Sequence, residues 1–166
     1  MFSASTVVAS NKAELYSDLN KQLTGLLRGE RDFIANAANF SALVFNLLPD
    51  LNWAGFYLLR DDTLILGPFQ GKPACVRIPV YPQPRGVCGN CAFHKKTFLV
   101  PNVHEFPGHI ACDSASNAEI VLPIIVNNSL VGVFDIDSPS INRFDGDDQT
   151  GLEALVATFI AMTDIQ

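Results

Sequence analysis

Four cysteines, at positions 75, 88, 91 and 112, stand in a chain of 166 residues that also carries three histidines. Cys88 and Cys91 close the tetrapeptide "CGNC", a C-x-x-C. Cys112 lies in "HIACDSASNAEIVLP", a run of small and polar residues ahead of an apolar stretch. A single thiol beside a strand is ordinary core filling, because cysteine packs as a small hydrophobe. Several thiols in ungreasy surroundings point instead to nucleophilic attack, disulfide exchange or metal ligation. Zinc would draw on Cys75, Cys88, Cys91, Cys112, His94, His104 and His109. A structural zinc site usually shows two paired ligand motifs, however, and this sequence has one. A thioredoxin-type C-x-x-C belongs in a βαβ unit, which the chain lacks. The expectation is therefore a set of redox thiols with no metal. Cys88 reads as the opening of a short helix, "GNCAFHKK", whose N-terminus, helped by Arg85, is expected to lower the thiol pKa. His104 and His109 flank "EFPG" and read as surface or packing residues.

A second set of reactive groups sits in "LVGVFDIDSPS". Strand alternation places Val131, Val133, Asp135 and Asp137 on one face and Leu130, Gly132, Phe134 and Ile136 on the other. Two carboxylates about 7 Å apart on an apolar face are costly unless they bind something or lie at a wet strand end. Glu119 opens the preceding apolar run, and hairpin register decides whether it joins them. A two-residue loop at Asn127 and Asn128 would set Glu119 opposite Ile136. A loop that also takes in Ser129 would set it opposite Asp137, and a slip of one residue exchanges the faces. Both remain open on sequence. Trp53 and Tyr57 share a strand face with Gly55 between them, either as core or as an aromatic wall that Gly55 lets a ligand approach.

The elements that must position these groups follow from periodicity. "AELYSDLNKQLTGLL" puts Leu15, Leu19, Leu23, Leu26 and Leu27 on one helical stripe. "RDFIANAANFSALVFNLL" does the same with Phe33, Ile34, Ala37, Phe40, Val44 and Leu47, and Pro49 stops it. A closing helix buries Leu152, Leu155, Val156, Phe159 and Ile160 behind a cap at Asp145. Between them, "NWAGFYLL" and "TLILGPF" read as one hairpin, "ACVRIPV" as a further strand, and "EIVLPIIV" with "LVGVFDID" as a second hairpin across "NNS". The stretch from Tyr81 to Ser116 reads as a long binding connection. The fold class is α+β, in a single domain over residues 1–166 with its core at about 12–162.

Composition narrows the function. Hydrophobic residues make up 48% and charged residues 17%, which excludes a disordered or coiled-coil chain. A net charge of −6 with no basic stripe argues against a nucleic-acid partner. No apolar stretch approaches the ~18 residues of a membrane span. The start, "MFSASTVVASNKAEL", lacks a secretory pattern, so the expected location is cytoplasmic, where thiol clusters serve redox or metal chemistry.

In order along the chain, "NWAGFYLL", "LGPFQGKPACVRIP", "RGVCG", "FPGHIACDSASNAEIVLP" and "GVFDIDSPS" closely resemble the free methionine-(R)-sulfoxide reductases, a branch of the GAF-domain proteins. The resemblance covers about Lys12 to Phe159. It implies a central antiparallel sheet with the N-terminal and C-terminal helices packed on one side. It also implies reduction of free methionine-R-sulfoxide without cofactor, recycling by a thioredoxin-type reductant, and a homodimer. Carried over by motif, the family's thiols fall on Cys75, Cys88 and Cys112, with Cys112 as attacker and Cys75 or Cys88 as resolver. The substrate-binding residues fall on Glu119, Asp135, Asp137, Trp53 and Tyr57. The link "VYPQPRG" is longer than the family's, and Cys91 lies outside its pattern. The alternative from another class is a non-catalytic GAF module that senses a small molecule or redox state; such modules are expected to be fused to an output domain.

Overall fold

Three polar residues start the long helices by taking up backbone donors that a helix leaves unpaired. The side chain of Asn11 accepts the N–H of Glu14 and opens α1, Lys12–Leu26. Asp32 accepts the N–H of Ala35 and opens α2, Phe33–Leu47. Asp145 and Asp148 form a reciprocal capping box at the head of α4, Gly146–Met162. The computed structural model that shows these elements describes residues 9–110 and 113–165. No helix among them is long and apolar enough to cross a membrane.

Six strands form one antiparallel sheet in the order β3-β2-β1-β6-β5-β4. β1 is Trp53–Arg60, β2 Thr63–Gly71, β3 Arg77–Pro79, β4 Phe98–Val100, β5 Ala118–Val126 and β6 Ser129–Ser138. The strand expected over Ala74 to Val80 is thus only three residues long. The equally short β4 was not anticipated, having too few residues to show an alternation. The connection from Tyr81 to Ser116 is partly structured, since it also holds α3, Gly86–His94, and a 3₁₀ turn at Val103–Glu105.

The two faces of the sheet have different work. Ala54, Phe56, Ile120, Leu122, Phe134 and Ile136 point at α1, α2 and α4, which lie together on one side as expected. Phe40, Phe56, Phe134 and Phe159 meet there with ring centroids 4.6–5.8 Å apart. Such offset and tilted contacts add to the burial of four large side chains. Ile34, expected on the apolar stripe of α2, is 59% exposed; Asn36, Ser41 and Leu43 lie on the buried arc instead. α3 covers the opposite face, over Trp53, Tyr57, Val121 and Val133.

Register in the β5–β6 hairpin combines features of both sequence alternatives. Asn127 and Asn128, at φ 49° and 64°, make a two-residue turn that closes Val126 onto Ser129. A bulge then intervenes, because Ile125 pairs with Leu130 but Ile124 pairs with Gly132. Val131 is the extra residue, and Glu119 consequently faces Asp137. The bulge also breaks the expected alternation. Leu130 packs with the Val133 face, and Val131 with the Phe134 face.

Candidate active site

Pairing across three strands gathers the acidic residues. Glu119 on β5 faces Asp137 on β6, and Asp135 lies between Val121 of β5 and Gly55 of β1. Directly paired residues share a face, so all three carboxyls stand on the α3 side. Glu119 and Asp135 are only 5% and 6% exposed, whereas Asp137 is partly open. They floor a pocket of about 510 Å³, counting its mouth, that Trp53, Tyr57, Cys88 and His109 also line.

Trp53 and Tyr57 form the aromatic wall and also hold a neighbouring segment. Their rings stack at 5.8 Å, and Trp53 stacks on Phe69 at 5.3 Å. The Trp53 Nε1–H donates to the Lys72 carbonyl at 3.1 Å, and the Tyr57 hydroxyl donates to the Cys75 carbonyl at 3.0 Å. Gly55 serves this stack and not a ligand: a Cβ there would run into Phe69 and meet Trp53 Cη2 at 2.8 Å. Gly89 lets α3 descend onto the end of β3, where a Cβ would lie 2.7 Å from the Pro79 carbonyl oxygen.

That descent buries Cys88 against the carboxyls. Its Sγ donates to Glu119 Oε1 at 3.8 Å. The helix N-terminus was expected to lower the pKa of this thiol, and the structure reverses the direction. Burial, then the charges of Asp135 and Glu119, push it well above the usual cysteine value. Cys91 is completely buried and donates to the Val121 carbonyl at 3.5 Å, away from the carboxyls. Both are free thiols, whereas Cys75 is disulfide-bonded. Cys112 lies outside the described residues.

The carboxyls perturb one another in the same way. Burial raises Glu119 well above the ordinary carboxyl range, and the charges of Asp135 and Asp137 raise it further. Burial and the charge of Asp135 raise Asp137 likewise. Burial raises Asp135 to about 6, held back by hydrogen bonds it accepts from Cys88 and Glu119. Its Oδ1 atom is buried and accepts none. Burial and mutual repulsion thus favour the protonated form of all three carboxyls relative to free side chains.

His109 was read as packing, yet it lines the pocket with Nε2 3.8 Å from Glu119 Oε2. Burial lowers its pKa, so it is largely neutral at pH 7. Its loop is anchored where the Gly86 N–H donates to the Gly108 carbonyl at 3.2 Å. The signal available in sequence was its place three residues before Cys112. His104 bonds Asn117 at 2.7 Å and His94 packs against Phe93 and Phe98, so neither joins the pocket. Ser116 lines it too, and with Asp113 accepts from the Asn52 amide.

A six-stranded sheet with helices on one face and a covered pocket on the other defines a GAF domain, and the GAF-domain family model matches residues 38–161. The chain is 56% identical over 147 residues to the free methionine-R-sulfoxide reductase of Escherichia coli, covering 89% of this chain and 87% of that one. It is 44% identical to the free methionine-R-sulfoxide reductase of Saccharomyces cerevisiae, covering 87% and 83%. The X-ray structure of free methionine-R-sulfoxide reductase from Neisseria meningitidis in complex with its substrate superposes with a TM-score of 0.91 at 37% identity, covering 98% and 95%. The chain belongs to the free methionine-R-sulfoxide reductase family of GAF-domain proteins.

Proposed function

We propose that this protein reduces free L-methionine (R)-S-oxide to L-methionine by thiol chemistry in the acidic pocket. The observation that carries the reading is the floor of three carboxyls facing the Trp53–Tyr57 wall. An aromatic wall suits the methyl-sulfoxide end, and the carboxyls suit an α-ammonium. The similarity to free methionine-R-sulfoxide reductases supports the same assignment.

In the proposed cycle the Cys112 thiolate attacks the sulfoxide sulfur. The S–O bond breaks, the oxygen passes to Cys112 as a sulfenic acid with one proton added, and methionine leaves. Asp135 supplies that proton. A carboxyl with a pKa of about 6 both holds and gives up a proton near neutral pH. Glu119 and Asp137 grip the ammonium, whose charge removes the reason for their raised pKa values. A second thiol condenses with the sulfenic acid, releasing water and leaving a disulfide that a thioredoxin-type dithiol reduces. Cys75 is the better resolver, because it is disulfide-bonded while Cys88 is a free, buried thiol held in its protonated form.

The deciding experiment offers both epimers of free and peptide-bound methionine sulfoxide to the enzyme with a thioredoxin system. Methionine should form from the free R epimer alone. Equal turnover of peptide-bound sulfoxide overturns the reading.

A further inference from the structure

Cys88 has no step in the reaction just described, yet its sulfur is built into the acidic floor. Among the described residues, Cys88, Glu119 and Asp135 bring a thiol and two carboxylate donor atoms within 4.8 Å of one another, and all three residues are buried. His109 stands outside this group: its Nε2 lies 3.8 Å from Glu119 Oε2, whereas Cys88 Sγ lies 3.8 Å from the other oxygen, Oε1. Donors of a tetrahedral zinc site, with Zn–S about 2.3 Å and Zn–N or Zn–O about 2.0–2.2 Å, stand roughly 3.3–3.8 Å apart. The Cys88–Glu119 separation already matches the upper end of that range, and Asp135 lies within 4.8 Å of both.

A second observation points to a missing cation. Asp135 lines the pocket, and its Oδ1 is buried with no hydrogen-bond partner. A buried carboxylate oxygen left alone is costly, and a positive ligand removes the cost. An ammonium meets that need equally well, but it gains nothing from sulfur. Thiolate and carboxylate together select a borderline-soft divalent ion over magnesium or calcium.

We propose that the reduced, substrate-free pocket takes one zinc-class divalent cation on Cys88 Sγ, Glu119 and Asp135, with solvent as the remaining ligand, and that this cation and the substrate ammonium exclude each other. Binding releases the Cys88 thiol proton to solvent and changes no oxidation state. The site would make free zinc a reversible inhibitor of the enzyme, lifted by substrate or chelator. The inference rests on the proposed substrate pocket, but its test does not depend on turnover.

Metal-free, pre-reduced full-length protein is titrated anaerobically with Co²⁺, which gives a near-ultraviolet thiolate-to-metal band and visible bands of four-coordinate intensity. The bands should saturate at one equivalent, persist in Cys112→Ser and Cys91→Ser, and lose the thiolate component in Cys88→Ser. Asp135→Asn, which keeps the thiol, should weaken cobalt binding by about tenfold or more. In Cys112→Ser, added methionine sulfoxide should bleach the bands, whereas N-acetyl-methionine sulfoxide should not. The proposal is overturned if wild type shows no thiolate band, if Cys88→Ser retains it, or if Asp135→Asn binds cobalt unchanged. Bands that survive saturating substrate overturn the exclusion. Methionine formation by the metal-free enzyme tests the reductase reading separately.

Discussion

Glu119 stands directly opposite Asp137 across the β5–β6 ladder, with Asp135 two residues further along β6 on the same face. Two strands thus concentrate negative charge where the sheet is otherwise apolar, and α3 closes over it. On the proposed reading, a cation completes that arrangement.

The outer pair should therefore control binding more than chemistry. Glu119→Gln and Asp137→Asn each remove one charge-assisted contact of about 1.5–3 kcal/mol. We expect KM for methionine sulfoxide to rise about tenfold to a hundredfold with kcat changed far less. Steady-state kinetics decides it; a fall in kcat with KM unmoved would reassign both residues to the chemical step.

Asp135→Asn should do the opposite, lowering kcat steeply and removing the alkaline limb near pH 6 that a protonated Asp135 imposes on the wild-type profile. The same variant should be more stable. The folded carboxyl binds its proton up to about pH 6, well above its ordinary value of 3.8, so its contribution to stability is most favourable in acid and declines as pH rises between the two. About one pH unit above 6 the loss is complete, on the order of a few kcal/mol. Thermal melts of both proteins should differ most at pH 7.5 and converge toward pH 4. A constant difference across that range would remove the assignment.

Much of this was legible in the chain itself. The alternation in "GVFDID" placed Asp135 and Asp137 together, the apolar stripes marked the helices at either end, and the family resemblance implied that those helices pack on one side. What escaped was set by tertiary structure. The bulge at Val131 leaves no mark in the hydrophobic pattern, yet it decides which residue Glu119 meets. The Cys88 thiol was misjudged because a helix N-terminus is visible in sequence, while the two buried carboxyls beneath it come from strands thirty-one and forty-seven residues away. His109 looked bland because only the folded loop brings it to Glu119.

The cysteines should separate by role. Cys112→Ser should abolish methionine formation. Cys75→Ser should release about one methionine per protein in a single turnover while recycling by thioredoxin fails. Cys91→Ser should alter neither assay, because its thiol is fully buried and turned toward the Val121 carbonyl. Chelator treatment should leave wild-type activity intact. Recycling lost in Cys91→Ser but kept in Cys75→Ser would mean that the resolving thiol has been misassigned.

The pocket should also restrict the enzyme to the free amino acid. Glu119 and Asp135 are almost fully buried, so whatever neutralises them must come inside. A free α-ammonium does so. An acetylated or peptide-linked nitrogen carries no charge and leaves the carboxyls unpaired, which adds a desolvation cost to the lost contact. Sites built around a buried polar partner reject analogues lacking it by far more than one contact is worth, up to about 10⁴-fold. N-acetyl-methionine sulfoxide should therefore fall by at least about a hundredfold in kcat/KM relative to the free R epimer. The Glu119→Gln and Asp137→Asn variants should narrow that gap from the other side, since they lose their advantage only with the charged substrate. For each variant, competition assays on the four combinations of two substrates with wild type and variant give the coupling directly. Additive effects, with the acetylated substrate penalised equally in every variant, would show that the carboxyls do not read the ammonium.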